Sequence, residues 1–191
     1  MTGSRHKRSR RASRGFTLVE MAIVVVIVGI LAVIAVVAYR KLINSAHMSE
    51  ATHMVNGIRV AQEAYHAETQ TYLNVSTALT VGSLYPQQTP TRVKTGWGGP
   101  CGWCNAQWTS LPVHADGSVM YGYATMAGQA GGAPPAPPTV NGTSMNVTFP
   151  ATTVTDWYVI SAFGDVDGNG FYSAVLGQSW TNDVFTYFDG E

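Results

Sequence analysis

The feature that most constrains this chain is an uninterrupted apolar run near its N-terminus. Residues 21–38, MAIVVVIVGILAVIAVVA, carry no charge, and between Phe16 and Tyr39 the only charged residue is Glu20. A helix needs roughly 20 apolar residues to cross the hydrocarbon of a bilayer, so the run predicts one membrane pass. A basic head precedes it: six of the eleven Lys and Arg residues (Arg5, Lys7, Arg8, Arg10, Arg11 and Arg14) lie before Gly15. The formal net charge of +0 therefore hides an asymmetry, because beyond Gly15 five basic residues face eleven acidic ones, about −6. Basic residues beside a span stay on the cytoplasmic side, which places the C-terminal part outside. The acidic balance of that part disfavours a nucleic-acid partner, and the basic cluster reads as a topology signal.

A secretory signal peptide also joins a basic head to an apolar core, but its small-residue cleavage site follows the core. Here the run ends Val36, Val37, Ala38, Tyr39, Arg40, with no A-x-A-like site. Cleavage is better placed before the run than after it.

The junction RRASRGFTLVEMAIVVVIVGILAVIA resembles the class III leader and helix start of type IV pilins and type II secretion pseudopilins. The resemblance implies that a prepilin peptidase removes residues 1–15 by cutting between Gly15 and Phe16, then N-methylates Phe16. It also implies that Glu20 is the acid of the apolar helix that serves assembly. A carboxylate at a helix centre in hydrocarbon costs about 2.5–3.5 kcal/mol and persists where it finds a partner. In a filament that partner is the Phe16 amino group of a neighbouring subunit; in an isolated anchor, Glu20 would snorkel to the headgroups. One departure from the family pattern is Val37, where many pilins carry Pro; only Gly29 is left as a weak point inside the helix.

Beyond the span, Met48, Ala51, Val55, Ile58, Ala61 and Tyr65 recur every three or four residues, with Glu50, His53, Arg59, Glu63 and His66 between them. That period predicts an amphipathic continuation of the helix over 40–72, packed on a globular head. His47, His53 and His66 lack the i, i+4 spacing of a helical zinc pair and read as surface residues. Residues 74–110 are rich in Thr, Gly, Pro and Trp and read as a long loop. Runs with β character follow at 119–126, 144–149, 157–163, 171–176 and 184–188, with a Gly/Pro connection over 128–142. The expected fold is α+β, a long N-terminal helix packed on an antiparallel sheet. Its parts are a leader (1–15), an apolar span (16–39), an amphipathic helix (40–72) and a head (73–191).

Two constellations stand out in the head. Cys101 and Cys104 form CGWC; in an oxidising compartment the expectation is a disulfide between them, with a redox pair or a zinc site as lesser alternatives. Asp165, Asp167 and Asn169 before Gly170 resemble the first half of a calcium loop, with Asp183 or Asp189 as remote ligands. The twelfth position is Leu176 rather than an acid. A hairpin turn without metal accounts for the same residues; Ca²⁺ is the cofactor this loop raises.

The resemblance implies a structural subunit rather than an enzyme: a member of a type IV pilus or related filament serving adhesion, motility or DNA uptake. Its partners would be other pilin subunits, the prepilin peptidase and an inner-membrane assembly platform. It would lie first in the inner membrane and then on the cell surface. The alternatives are a type II secretion pseudopilin and a minor pilin with an adhesive tip, for which Trp97, Trp103 and Trp108 are candidate contacts. Packing is the commoner role of tryptophan. No Ser/His/Asp set, phosphate loop or catalytic carboxylate pair stands out in the sequence.

Overall fold

A computed structural model describes residues 15–98 and 105–187. The elements, in chain order, are α1 (Leu18–Thr69), β1 (Thr95–Gly96), α2 (Asn105–Trp108), β2 (Ser118–Val119), β3 (Gly122–Gly128), β4 (Thr139–Val140), β5 (Thr143–Ser144), β6 (Trp157–Gly164), β7 (Ser173–Gln178) and β8 (Thr181–Tyr187). The chain divides into two compact units, one ending at Leu42 and one beginning at Ile43.

The first unit is the apolar part of α1. Its Val and Ile residues are indifferent helix formers in water, but in hydrocarbon the helix satisfies every backbone N–H and C=O within one segment. Every large apolar side chain from Leu18 to Leu42 is exposed, from 42% for Met21 to 90% for Leu18. Leaving one such side chain in water forgoes about 1.5–3 kcal/mol, so this surface is suited to lipid or to other helices. The helix is long and apolar enough to cross a membrane.

In the second unit, α1 buries the stripe Met48, Ala51, Val55, Ile58, Ala61 and Gln62. The helix ends at Thr69 rather than at 72. Gln70 adopts φ 60°, and its N–H reaches the His66 carbonyl at 2.8 Å, a left-handed cap that satisfies one of the last orphan carbonyls.

The sheet is antiparallel with strand order β3-β6-β7-β8. Alternation along β6 sends Tyr158, Ile160 and Ala162 to a core shared with Val55, Ile58 and Ala51 of α1. It sends Trp157, Val159 and Phe163 to a second core with Leu79, Leu84, Val140 and Met145. β6 is buried at every position, because the 139–149 segment closes the face away from the helix. The expected strand at 144–149 is correspondingly reduced to β5, paired with β4; Met145, Val147 and Phe149 pack on the second core. The expected strand at 119–126 divides into β2 and β3, and the 74–110 loop contains β1 and α2. Residue 188, the expected end of the last strand, lies outside the described residues.

Three contacts fix the helix to the sheet. Gly177 of β7 lies under Val55, where a Cβ would stand 2.8 Å from Val55 Cγ1. The Arg59 guanidinium donates to the carbonyls of Gln178 (3.2 Å), Thr181 (2.6 Å) and Asn182 (3.0 Å), closing the β7–β8 turn. Gln62, fully buried, donates through Nε2 to Leu73 O at 2.8 Å and Thr125 Oγ1 at 3.1 Å, and accepts from Leu73 N–H at 2.9 Å. A buried amide satisfied on both ends fixes the chain leaving the helix against β3.

Candidate functional site

Gly15 and Phe16 precede the helix, and Thr17 is its N-cap. The Thr17 Oγ1 accepts from the Glu20 N–H at 3.2 Å, and Glu20 Oε2 accepts from both the Thr17 N–H and its hydroxyl at 2.8 Å. This is a reciprocal capping box, which satisfies orphan donors at both ends of a T-x-x-E segment. The carboxylate's negative charge also sits at the positive end of the helix dipole. The two roles expected for Glu20, pairing with a neighbour's amine or snorkelling to the headgroups, do not include this cap. Thr17 three residues before an acid, followed by an apolar run, was the available signal for the cap. The cap engages Oε2, while the side chains around it are exposed: Phe16 at 79% and Leu18 at 90%. The arrangement therefore presents a carboxylate beside the chain position that cleavage after Gly15 would convert to an amine.

The second sequence candidate, the 165–170 loop, joins β6 to β7. Asp165 is largely buried, and both its oxygens accept from loop amides: Oδ1 from Gly168 N–H at 2.9 Å and Oδ2 from Gly170 N–H at 3.3 Å. Asp167 accepts from the Asn169 N–H and side-chain amide at 3.2 and 2.8 Å, and Asn169 Oδ1 accepts from Phe171 N–H at 2.7 Å. Gly168 and Gly170 take φ of 77° and 82°, a conformation that glycine reaches without strain. The loop is thus closed by its own side chains, as Asx turns are. Asp183 bonds to Thr181 on its own strand, and Asp189 lies outside the described residues. Among the described residues, no three His, Cys, Asp or Glu side chains form a group that could hold a metal ion.

Cys101, Cys104 and Trp103 also lie outside the described residues. The tryptophans on either side of them have packing roles. Trp108 is buried and stacks on Tyr85 at 5.3 Å, while Trp97 meets Tyr85 edge-on at 4.9 Å and Trp108 at 5.6 Å. His66 stacks on Tyr72 at 4.4 Å, and His47 Nδ1 lies 3.6 Å from Glu50. Glu50 also meets Lys94 Nζ at 3.3 Å and accepts from the Met120 N–H at 3.2 Å, tying the helix to the segment that enters β3.

Residues 10–36 match the prokaryotic N-terminal methylation motif, the class III prepilin leader of type IV pilins and pseudopilins. Comparisons with curated proteins and with solved structures gave no match.

Proposed function

We propose that this chain, of type IV pilin or pseudopilin class by its methylation motif, is a structural subunit of a type IV pilus or related filament. The peptidase cuts after Gly15, Phe16 becomes the methylated N-terminus, and the apolar part of α1 packs against the same helix of other copies. The observation that carries this reading is the continuity of the motif, over 10–36, with a helix whose apolar side chains are exposed along its whole first unit. Such a surface is stable only among lipids or other helices. Glu20 then supplies the charge that pairs with the Phe16 amine of a neighbour, in a low-dielectric setting where an unpaired carboxylate is costly.

The test is the N-terminal mass of protein extracted from membranes or sheared filaments of the native host, in wild type and in Gly15→Ala. A chain beginning at methylated Phe16, lost in the variant, is expected. A chain retaining Met1, or one cut after residue 38, overturns the reading. Electron microscopy of the sheared fraction separates a long pilus from a short secretion pseudopilus.

A further inference from the structure

The head contains three Asn-x-Ser/Thr triplets: Asn74-Val75-Ser76, Asn141-Gly142-Thr143 and Asn146-Val147-Thr148. A triplet of this form with x other than Pro is the acceptor pattern for N-linked glycan and belongs on an accessible surface. The pattern alone does not separate the three, but their side chains do. In the first, Asn74 Oδ1 accepts from Ala127 N–H at 3.3 Å, and Ser76 is buried with its hydroxyl accepting from Thr125 N–H at 3.1 Å. In the second, Asn141 grips the backbone of Tyr172 from both ends: Nδ2 donates to its carbonyl at 3.0 Å and Oδ1 accepts from its N–H at 2.8 Å.

The third triplet is built differently. Met145 is buried, and Val147 and Phe149 pack on the second core, so alternate residues anchor the segment. Asn146 and Thr148, at the intervening positions, are both exposed. The Val147 N–H returns to the Met145 carbonyl at 2.8 Å, a three-residue turn centred on Asn146. No hydrogen bond engages either the Asn146 or the Thr148 side chain among the described residues, so both are available to an enzyme. The segment covers the sheet face away from α1 and is therefore not hidden beneath the helix.

We propose that Asn146 is a glycan acceptor, with an oligosaccharide on a lipid pyrophosphate as the donor. The Asn146 Nδ2 forms a bond to the anomeric carbon of the sugar, the bond from that carbon to the pyrophosphate oxygen breaks, the lipid pyrophosphate leaves with the electron pair, and Nδ2 gives up one proton to the transferase. Thr148 holds the acceptor geometry as a positioning residue. The proposal rests on the head lying outside the cytoplasm, as the filament reading requires.

The test is peptide mass spectrometry of the full-length protein from the native host, with fragmentation to locate the attachment. A saccharide increment is expected on the peptide containing Asn146, absent in Asn146→Gln and in Thr148→Val and retained in Thr148→Ser. An unmodified peptide overturns the proposal whatever the N-terminus, and so does an increment that survives Asn146→Gln. A modified Asn146 on a chain that still begins at Met1 supports this proposal while overturning prepilin processing, so the two readings fail separately.

Discussion

Val55 of α1 and Gly177 of β7 occupy one space. A Cβ at position 177 would stand 2.8 Å from Val55 Cγ1 and 3.5 Å from the Arg59 Cδ. The absence of a side chain on the strand sets how closely the helix approaches the sheet.

Gly177→Ala should therefore destabilise the head by about 1–3 kcal/mol, the usual cost of inserting a methyl into a packed core. Val55 is β-branched and has few rotamers in a helix with which to withdraw. Pairing it with Val55→Ala should recover part of the loss. Urea denaturation of the detergent-solubilised chain, read by tryptophan fluorescence, checks both.

Gln62→Leu should cost about 2 kcal/mol or more. It leaves the Leu73 N–H and C=O without their partner inside the core, and a buried unsatisfied group costs about 1–3 kcal/mol. Hydrogen exchange should report the loss first at Leu73 and Thr125, the groups that Gln62 bridges.

Stability should fall on the alkaline side. Tyr72 is pushed up to about 12 by burial and by the Glu63 carboxylate beside its hydroxyl. Burial also raises Tyr121, Tyr158 and, furthest of the three, Tyr123. Below pH about 10, the ordinary phenol value, these groups are protonated folded or unfolded, and their contribution is fully present. Above it the unfolded chain loses protons that the folded chain keeps, so stability declines as pH rises toward 12. Tyr123 also buries a hydroxyl with no partner among the described residues. Tyr123→Phe should thus raise the melting temperature by a few degrees at neutral pH and flatten the alkaline decline; a lower melting temperature there would mean the hydroxyl is satisfied after all.

Because Asp165 and Asp167 already accept hydrogen bonds from their own loop, the melting temperature should change by less than about 1 °C between calcium and chelator. Asp165→Ala should lower stability by about 1–3 kcal/mol in both, since it strips two loop amides of their acceptor. A clear rise with calcium, lost in the variant, would instead assign the loop to the ion.

The two roles of Glu20 can be separated. Thr17→Ala removes the hydroxyl half of the cap, worth about 1 kcal/mol, and should leave filament yield near wild type. Glu20→Gln keeps a side chain that can still accept from Thr17 but removes the charge. It should lower sheared-filament yield at least about tenfold, the factor carried by 1.4 kcal/mol. Equal yields from the two variants would place the contribution of Glu20 in the cap alone.

The sequence alone establishes the long helix and its division into an apolar span and an amphipathic stripe. A run of uncharged residues over 21–38 and a three-to-four period from Met48 each admit few other structures. It located β6, β7 and β8 to within a few residues, because strands of Val, Ile and aromatic residues bounded by Gly and Asp are local signals. The α+β class was legible for the same reason.

The remaining features depend on residues distant in the chain. Alternation in β6 cannot say whether its second face meets water or another layer; Val140 and Met145, arriving from the 139–149 segment, make it a second core. The pairing of Val55 with Gly177, the engagement of Arg59 with the β7–β8 turn, and the availability of Asn146 beside the occupied Asn74 and Asn141 follow from side-chain packing across more than 20 residues of chain. No local pattern encodes such contacts, because their free energy exists only once both partners have been brought together.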